Sequence, residues 1–493
     1  MKKEVNFLKT FIAVDIGASS GRLMKSQLVD GKMTLEEVHR FKNGFRKVDG
    51  HERWDIQALI KELLTGLEKV KKSGIKECFL GIDTWAVDYC LVDKNGDWLA
   101  DPIAYRDSRT DQAINEFQKK MSLETLYAKT GIQLQPFNTI FQLFVENREM
   151  LATVDKILLI PDFLGYVLTG KMVTEKTNAS TTQLLNVATE TWDDELLDLI
   201  GVSKEKFAPL VEAGSILGQL QSDKFTNYDL PQTTVVTVAT HDTASAVIGA
   251  PGEGEDWSYI SSGTWSLLGT EERQANASKV AFQENYTNEW GANHTIRFLK
   301  NIMGMWLIQE VARQQEYEYS YAKLADMANQ SPSFQQFIDV NDSSFLNPEN
   351  MIIAIQNYCK ETKLIVPETP AELARCIYDN LALCYANELE KLQELTHKKI
   401  DVLHIVGGGS NNKFLNQLTA NVANIKIIAG PSEATAIGNV VMQMVASQTV
   451  SSISQARHVI GRSFACGTYK PQENTSDVLT AYKKFLREQT KKQ

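Results

Sequence analysis

No Cys-x-x-Cys pair occurs in the chain, and no histidine stands at zinc-ligand spacing beside its six cysteines, which sets aside a thiolate zinc site and leaves reduced thiols as the default. No apolar run approaches the ~18 residues that a membrane span needs. The opening MKKEVNFLKTFIAVDIG starts basic, but Asp15 interrupts its apolar run and no small-residue cleavage site follows, so it does not read as a signal peptide. A cytoplasmic protein is the expectation. Positive charge is in deficit: 51 Lys and Arg face 61 Asp and Glu, a formal net charge of −10. That balance argues against nucleic acid or an anionic membrane as the main partner. A nucleotide remains open, because local amides, one arginine and a metal can hold phosphates on an acidic protein. A short-period repeat is also missing, which excludes a solenoid.

What is present is a chain of 493 residues, long enough for two or more domains. Its 43% hydrophobic and 23% charged content is ordinary for a globular protein. Val235–Thr240 reads as a strand buried on both faces, running into His241-Asp242-Thr243 and then into small residues that suit a helix start. Open α/β sheets place their ligands at the carboxyl ends of such strands. Taken alone, this stretch leaves Asp242 either a helix cap or a working carboxylate.

Phe11–Gly17 reads as a second buried strand. Ala18-Ser19-Ser20-Gly21-Arg22 follows, then an alternating segment folded about Asp30-Gly31, a strong hairpin signal. The order is strand, small polar turn, strand. A dinucleotide fold or a P-loop needs a helix after its glycines, and none is signalled here. Such a turn is either an ordinary hairpin or a nest of N–H groups for phosphate oxygens. Trp257–Thr270 repeats the plan with Ser261-Ser262-Gly263-Thr264 at its turn, which suggests two similar domains. The Pro, Gly and Glu residues of 250–255 between them read as a linker.

Helical stripes are read at 54–72, 138–150, 296–313 and 371–395, and further strands at 78–83, 156–161 and 401–406. On the 296–313 helix, Asn301 and Gln309 would share a face. The last of these strands opens into Gly407-Gly408-Gly409, where backbone could approach a flat ligand or simply form a flexible loop. The TWAVDY run at 84–89 and Tyr105-Arg106-Asp107-Ser108-Arg109 suit either sugar hydroxyls or salt-bridged loops.

These stretches together resemble the FGGY carbohydrate kinases: VDIGASSGR (14–22), GIDTWAVDYCLVD (81–93), YRDSRT (105–110), HDTASAVI (241–248), SSGTWSLLG (261–269), LKNIMGMWLIQ (299–309) and HIVGGGSNN (404–412). The resemblance runs from about Phe11 to beyond Ala436. It implies an α/β, actin-like two-domain fold, each domain ribonuclease-H-like with a mixed sheet flanked by helices. A sugar-binding domain would cover 1–249 and an ATP-binding domain 255–493. The implied reaction is phosphoryl transfer from ATP, with Mg2+, to a ketose. TGIQLQPFNT (130–139) and TNASTTQLLN (177–186) point to L-rhamnulose, with L-fuculose or xylulose as the alternative. By match to the family motifs, Asp242 is the base, and Ala86, His241, Asp242, Thr243 and Asn301 contact sugar. Ala18, Ser19, Ser20, Gly21, Arg22, Thr264, Gln309 and Gly408 contact ATP, and Asp15 lies near the metal. Ala86 departs from the glycine usual in the family, and its methyl would narrow the sugar site. The partners implied are small molecules, a sugar and ATP, with neither nucleic acid nor membrane. A chaperone ATPase would need a peptide-binding domain and a sugar-sensing regulator a basic DNA-binding module, and the chain has room or charge for neither.

Overall fold

The structure is a computed structural model that describes residues 8–491. It divides into two compact units, 1–249 with 271–298 and 434–463, and 250–270 with 299–433 and 464–493. The linker read at 250–255 opens the second unit, while two segments from the later half of the chain, 271–298 and 434–463, pack with the first.

Alternating apolar residues and the Asp30-Gly31 turn build the first sheet. Thr10–Ile16 pairs antiparallel with Ser20–Val29, which pairs with Glu36–Lys42. Asp30 and Gly31 both take positive φ, 50° and 73°, as a tight hairpin turn between right-twisted strands requires. On the other side, Thr10–Ile16 runs parallel to Glu77–Thr84, and that strand parallel to Gln232–Thr237. The strand read at 235–240 thus begins and ends earlier, and Val238, Ala239 and Thr240 continue it as buried chain. Helix Ile56–Lys72 covers the sheet with Leu59, Leu63, Leu64, Leu67 and Val70, a stripe at helical spacing.

The second sheet repeats the plan. Trp257–Ser262 pairs antiparallel with Trp265–Glu272 and parallel with Val402–Val406, which runs parallel to Lys426–Ala429. Ile296–Met303 adds beyond Trp265–Glu272. An antiparallel hairpin whose first strand is followed on its other side by two parallel strands, twice over, is the ribonuclease-H-like pattern of the actin-like class, as the resemblance implied.

One expected helix is corrected. Residues 296–313 form a strand, Ile296–Met303, and a separate helix, Trp306–Gln314. The apolar pairs Phe298-Leu299 and Ile302-Met303 have helical spacing, but a place in a sheet buried on both faces outweighs that local pattern. Gly304 makes the break: a Cβ there would stand 2.7 Å from the Ser266 amide nitrogen. The helical run at 138–150 is likewise two short helices, Thr139–Phe144 and Arg148–Thr153, and Lys156–Leu159 passes directly into helix Ile160–Thr169.

In the first unit, helices Asp242–Ile248 and Ala434–Ala446 touch backbone to backbone. A Cβ on Gly438 would lie 1.8 Å from the Ser245 carbonyl oxygen, and one on Gly249 would lie 2.1 Å from that of Ala434. Gly438→Ala must push these helices apart and should cost about 2–4 kcal/mol, measured by urea unfolding. A variant as stable as wild type would show that this contact is loose.

Candidate active site

Asp15 and Asp83 are register partners on adjacent parallel strands, so both carboxylates arrive at the same end of the sheet. Asp242 arrives there from the strand Gln232–Thr237 as the first residue of the short helix it opens. The three charges are close enough that Asp15 and Asp242 both act on Asp83. Asp83 is fully buried, and that burial, reinforced by its two acidic neighbours, pushes its carboxyl well above the usual range despite a 2.5 Å hydrogen bond from Asn439 Nδ2. Asp83 was not singled out by sequence; the signal was its place at the end of a second buried strand. Asp15 is gripped by its cross-strand neighbour Arg22, whose Nε and Nη2 lie 3.2 and 3.0 Å from Oδ2. The structure therefore turns the guanidinium of Arg22 onto Asp15.

The hairpin turn between these strands is tied down by its carbonyls. Gly17 N–H donates to Ser20 O, Asn43 N–H to Ser19 O, and the Asn43 amide to Gly17 O. This arrangement leaves the Ala18 and Ser19 amides as the donors of a half-exposed turn. In the second unit, Gly263 N–H closes the matching turn on Trp265 O, and Thr264 O accepts from Trp306 N–H. Thr264 Oγ1 donates to Gln309 Oε1 at 3.3 Å, so these two predicted nucleotide contacts meet. Gly408 is on the loop whose Gly407 has φ 81° and whose Gly409 sits against Ser262, where a Cβ would be 1.9 Å from Oγ. Asn301 is on the strand Ile296–Met303, not on the helix that carries Gln309.

Asp242 does not cap its helix. The N-cap residue is His241, without a side-chain capping bond, and Asp242 Oδ1 accepts from Thr243 Oγ1 at 3.1 Å. Its side chain is 33% exposed, open to a substrate. The backbone leading to it is anchored by buried Glu175, whose carboxylate accepts from the Thr240 N–H and hydroxyl, both at 3.0 Å, and from Thr177 and Asn178. Sequence reasoning passed over Glu175, which stands just before TNAST. His241 meets Arg297, Glu289 and Asp242: Arg297 Nη2 donates to Nδ1 at 3.1 Å, and Nε2 is 3.5 Å from Asp242 Oδ1.

Ala86 lies in a strained bend. Val87 has φ 69°, an outlier for a β-branched residue, and Asp88 N–H bonds back to Ala86 O at 2.9 Å, a γ-turn. The turn persists because Thr139 Oγ1 holds the Val87 carbonyl at 2.6 Å and because Asp88 is clamped. Asp88 accepts from the indoles of Trp54 and Trp85, from Tyr105 N–H and from the Gln142 amide, at 2.7–3.1 Å. Trp54 and Trp85 pack with centroids 4.1 Å apart, and Tyr105 joins them. Beyond, Asp107 accepts from Glu52 and Arg109 amides and Arg109 pairs with Glu146 at 2.8 Å, while exposed Arg106 lies over Tyr105. The YRDSR run thus contains a salt-bridged loop, with Tyr105 turned to the aromatic wall.

Both family domains are matched in order: residues 10–249 by the N-terminal domain of the FGGY family of carbohydrate kinases and 258–447 by its C-terminal domain. The chain belongs to that family. Among curated proteins it is 62% identical over 490 residues to a rhamnulokinase of Enterococcus faecalis, covering 99% of each chain. It is 56% identical to that of Lactiplantibacillus plantarum (98% of this chain, 99% of the relative) and 54% to that of Bacillus subtilis (94% and 96%). Among solved structures, the fold matches Plasmodium falciparum glycerol kinase with ADP at TM-score 0.80 and 16% identity, covering 98% of each chain. It also matches ligand-bound xylulose kinase from Lactobacillus acidophilus at TM-score 0.78 and 18% identity, covering 97% of this chain and 96% of that one.

Burial raises the Asp88 carboxyl to about 6, against the pull of its four donors. A carboxyl raised on folding stabilises fully below its unfolded value of about 3.9, and that contribution is lost as pH rises through about 6. Between pH 4 and 7 the stability of wild type should therefore fall by about 2 kcal/mol relative to Asp88→Asn. Urea unfolding of both proteins across that range checks this, and parallel curves would contradict it.

Proposed function

We propose that this protein is an ATP-dependent rhamnulokinase that phosphorylates L-rhamnulose to L-rhamnulose 1-phosphate in L-rhamnose catabolism, with Asp242 as the general base. The observation that carries the substrate is full-length likeness, above 50% identity, to several rhamnulokinases. What supports the base is a half-buried carboxylate, a third of it open, that follows a buried strand, is held from behind and is not used as a cap. Phosphoryl transfer has a loose transition state, so positioning and charge stabilisation dominate. Asp242 takes the proton of the attacking hydroxyl. In the first unit His241, Thr243 and the Ala86 bend are the sugar contacts; in the second unit Asn301 is. In the first unit the 18–22 turn serves ATP phosphates through the Ala18 and Ser19 amides; in the second unit Thr264, Gln309 and Gly408 are the nucleotide contacts.

No group of three or more His, Cys, Asp or Glu side chains converges on one point among the described residues, so no all-protein metal cage is built. A nucleotide-bound Mg2+ needs only one or two carboxylates besides phosphates and water, and Asp15 at the hairpin end fits that role. When bound, the ion neutralises charge on the phosphates. The six free cysteines suit a reducing cytoplasm, and no helix among the described residues is long and apolar enough to cross a membrane.

Asp242→Asn keeps the shape and removes the proton acceptor. Turnover should fall by ~10²-fold or more while ATP binding, by calorimetry, stays near wild type. A variant that keeps most of its turnover would remove Asp242 from this role.

With MgATP and a panel of L-rhamnulose, L-fuculose, D-xylulose, L-xylulose and glycerol, ADP release should give the highest kcat/KM for L-rhamnulose. Discrimination against a sugar lacking only the methyl should be about 1–3 kcal/mol, and stronger against wrong hydroxyl stereochemistry. A tenfold preference for xylulose or glycerol would overturn the substrate and leave the kinase.

A further inference from the structure

Behind the proposed base lies a set of charged groups that the reaction as described does not use. Arg297 is 1% exposed, buried as deeply as the core leucines. Its Nε donates to the Trp290 carbonyl at 3.2 Å, which fixes the guanidinium plane. Nη2 then stands 3.0 Å from Glu289 Oε2 as an ion pair and donates to His241 Nδ1 at 3.1 Å. Burial by itself would raise Glu289, but the Arg297 guanidinium beside it pulls the other way and the carboxyl ends below its usual value. A buried arginine paired with an ionised glutamate is held firmly, since either left alone would be an uncompensated charge.

Arginine has N–H groups only and can never accept. A ring nitrogen that faces Arg297 Nη2 at hydrogen-bond distance must therefore be the accepting one. A neutral imidazole that accepts through Nδ1 carries its proton on Nε2. That nitrogen is the one 3.5 Å from Asp242 Oδ1. Glu289 Oε2 is also 3.4 Å from Nδ1, but a proton placed on Nδ1 to reach it would collide with the hydrogen that Arg297 directs at the same atom.

The geometry points to Arg297 and Glu289 as positioning residues that lock His241 in its Nε2–H form, so that a donor and not a second base faces Asp242. This rests on the reading of Asp242 as general base. The consequence is chemical. Nε2 unprotonated beside the substrate would compete for the hydroxyl proton. With Nε2–H it can only donate, to Asp242 or to a sugar oxygen, and Asp242 remains the single acceptor.

The test uses the full chain with 15N-labelled histidine, reading imidazole nitrogen shifts, with His241→Gln to assign the signal among seven histidines. In wild type near pH 8, His241 should be the Nε2–H tautomer, and Arg297→Met should shift it to a mixture. Glu289→Gln, close to isosteric, gives the same readout if Arg297→Met fails to fold. Turnover of Glu289→Gln should fall by about tenfold to a hundredfold with the KM for ATP unmoved and the thermal midpoint near wild type. An Nδ1–H wild-type ring overturns the proposal. So does a tautomer unchanged in the variants. Retained activity in Asp242→Asn would instead overturn the base, and the His241 shifts would still report the lock separately.

Discussion

Three carboxylates, Asp15, Asp83 and Asp242, are brought to one end of a single sheet, and their mutual repulsion has to be managed before any phosphate arrives. Each is handled differently. Asp15 faces a guanidinium across the strand pair. Asp83 is buried, pushed toward its neutral acid and held by Asn439. Asp242 alone keeps a third of its side chain open. Much of the first unit follows from this. Helix Ala434–Ala446 must come close enough for Asn439 to reach Asp83, and glycines at 249 and 438 permit that approach. Gln443 completes the chain by donating to the Asn439 side chain and to the Ile12 carbonyl.

The His241-Asp242 corner is consequently fixed from several directions. Glu175 holds Thr240 immediately before it, the glycine contact holds the helix after it, and Arg297 holds the imidazole. None of these groups needs to move for the carboxylate to work, which suits a reaction whose barrier is lowered mainly by placement. The strained turn at Val87 belongs to the same economy of position: it swings Ala86 outward while Asp88 pins the indoles behind it.

Much of this was legible in the chain. Alternation and the Asp30-Gly31 pair specify the first hairpin, and WSYISSGTWSLLG the second, because strand period and turn residues are local properties. The stretch 296–313 was not, since Phe298-Leu299 and Ile302-Met303 suit a helix or a doubly buried strand equally well. Nor were the roles of Asp83, which sits unmarked inside a longer motif, and of Glu175, Glu289 and Arg297, which lie outside the motifs; each depends on partners the fold brings in, as Glu175 does with Thr240 and Arg297 with His241.

By itself, then, the sequence determined the elements with short-range signals: two hairpins with small polar turns, a buried strand carrying Asp15 at its end, another leading to Asp242, and the glycine loop at 407–409. It also determined the family, through motifs of contiguous residues. Only the tertiary structure decided which late segments, 271–298 and 434–463, join the first unit. It alone decided which acid is buried, which is paired and which is open, and which imidazole nitrogen faces Asp242. The physical reason is range. Hydrophobic period and turn chemistry act over a few residues, whereas desolvation and charge pairing depend on what the fold places beside a group, however distant in the chain.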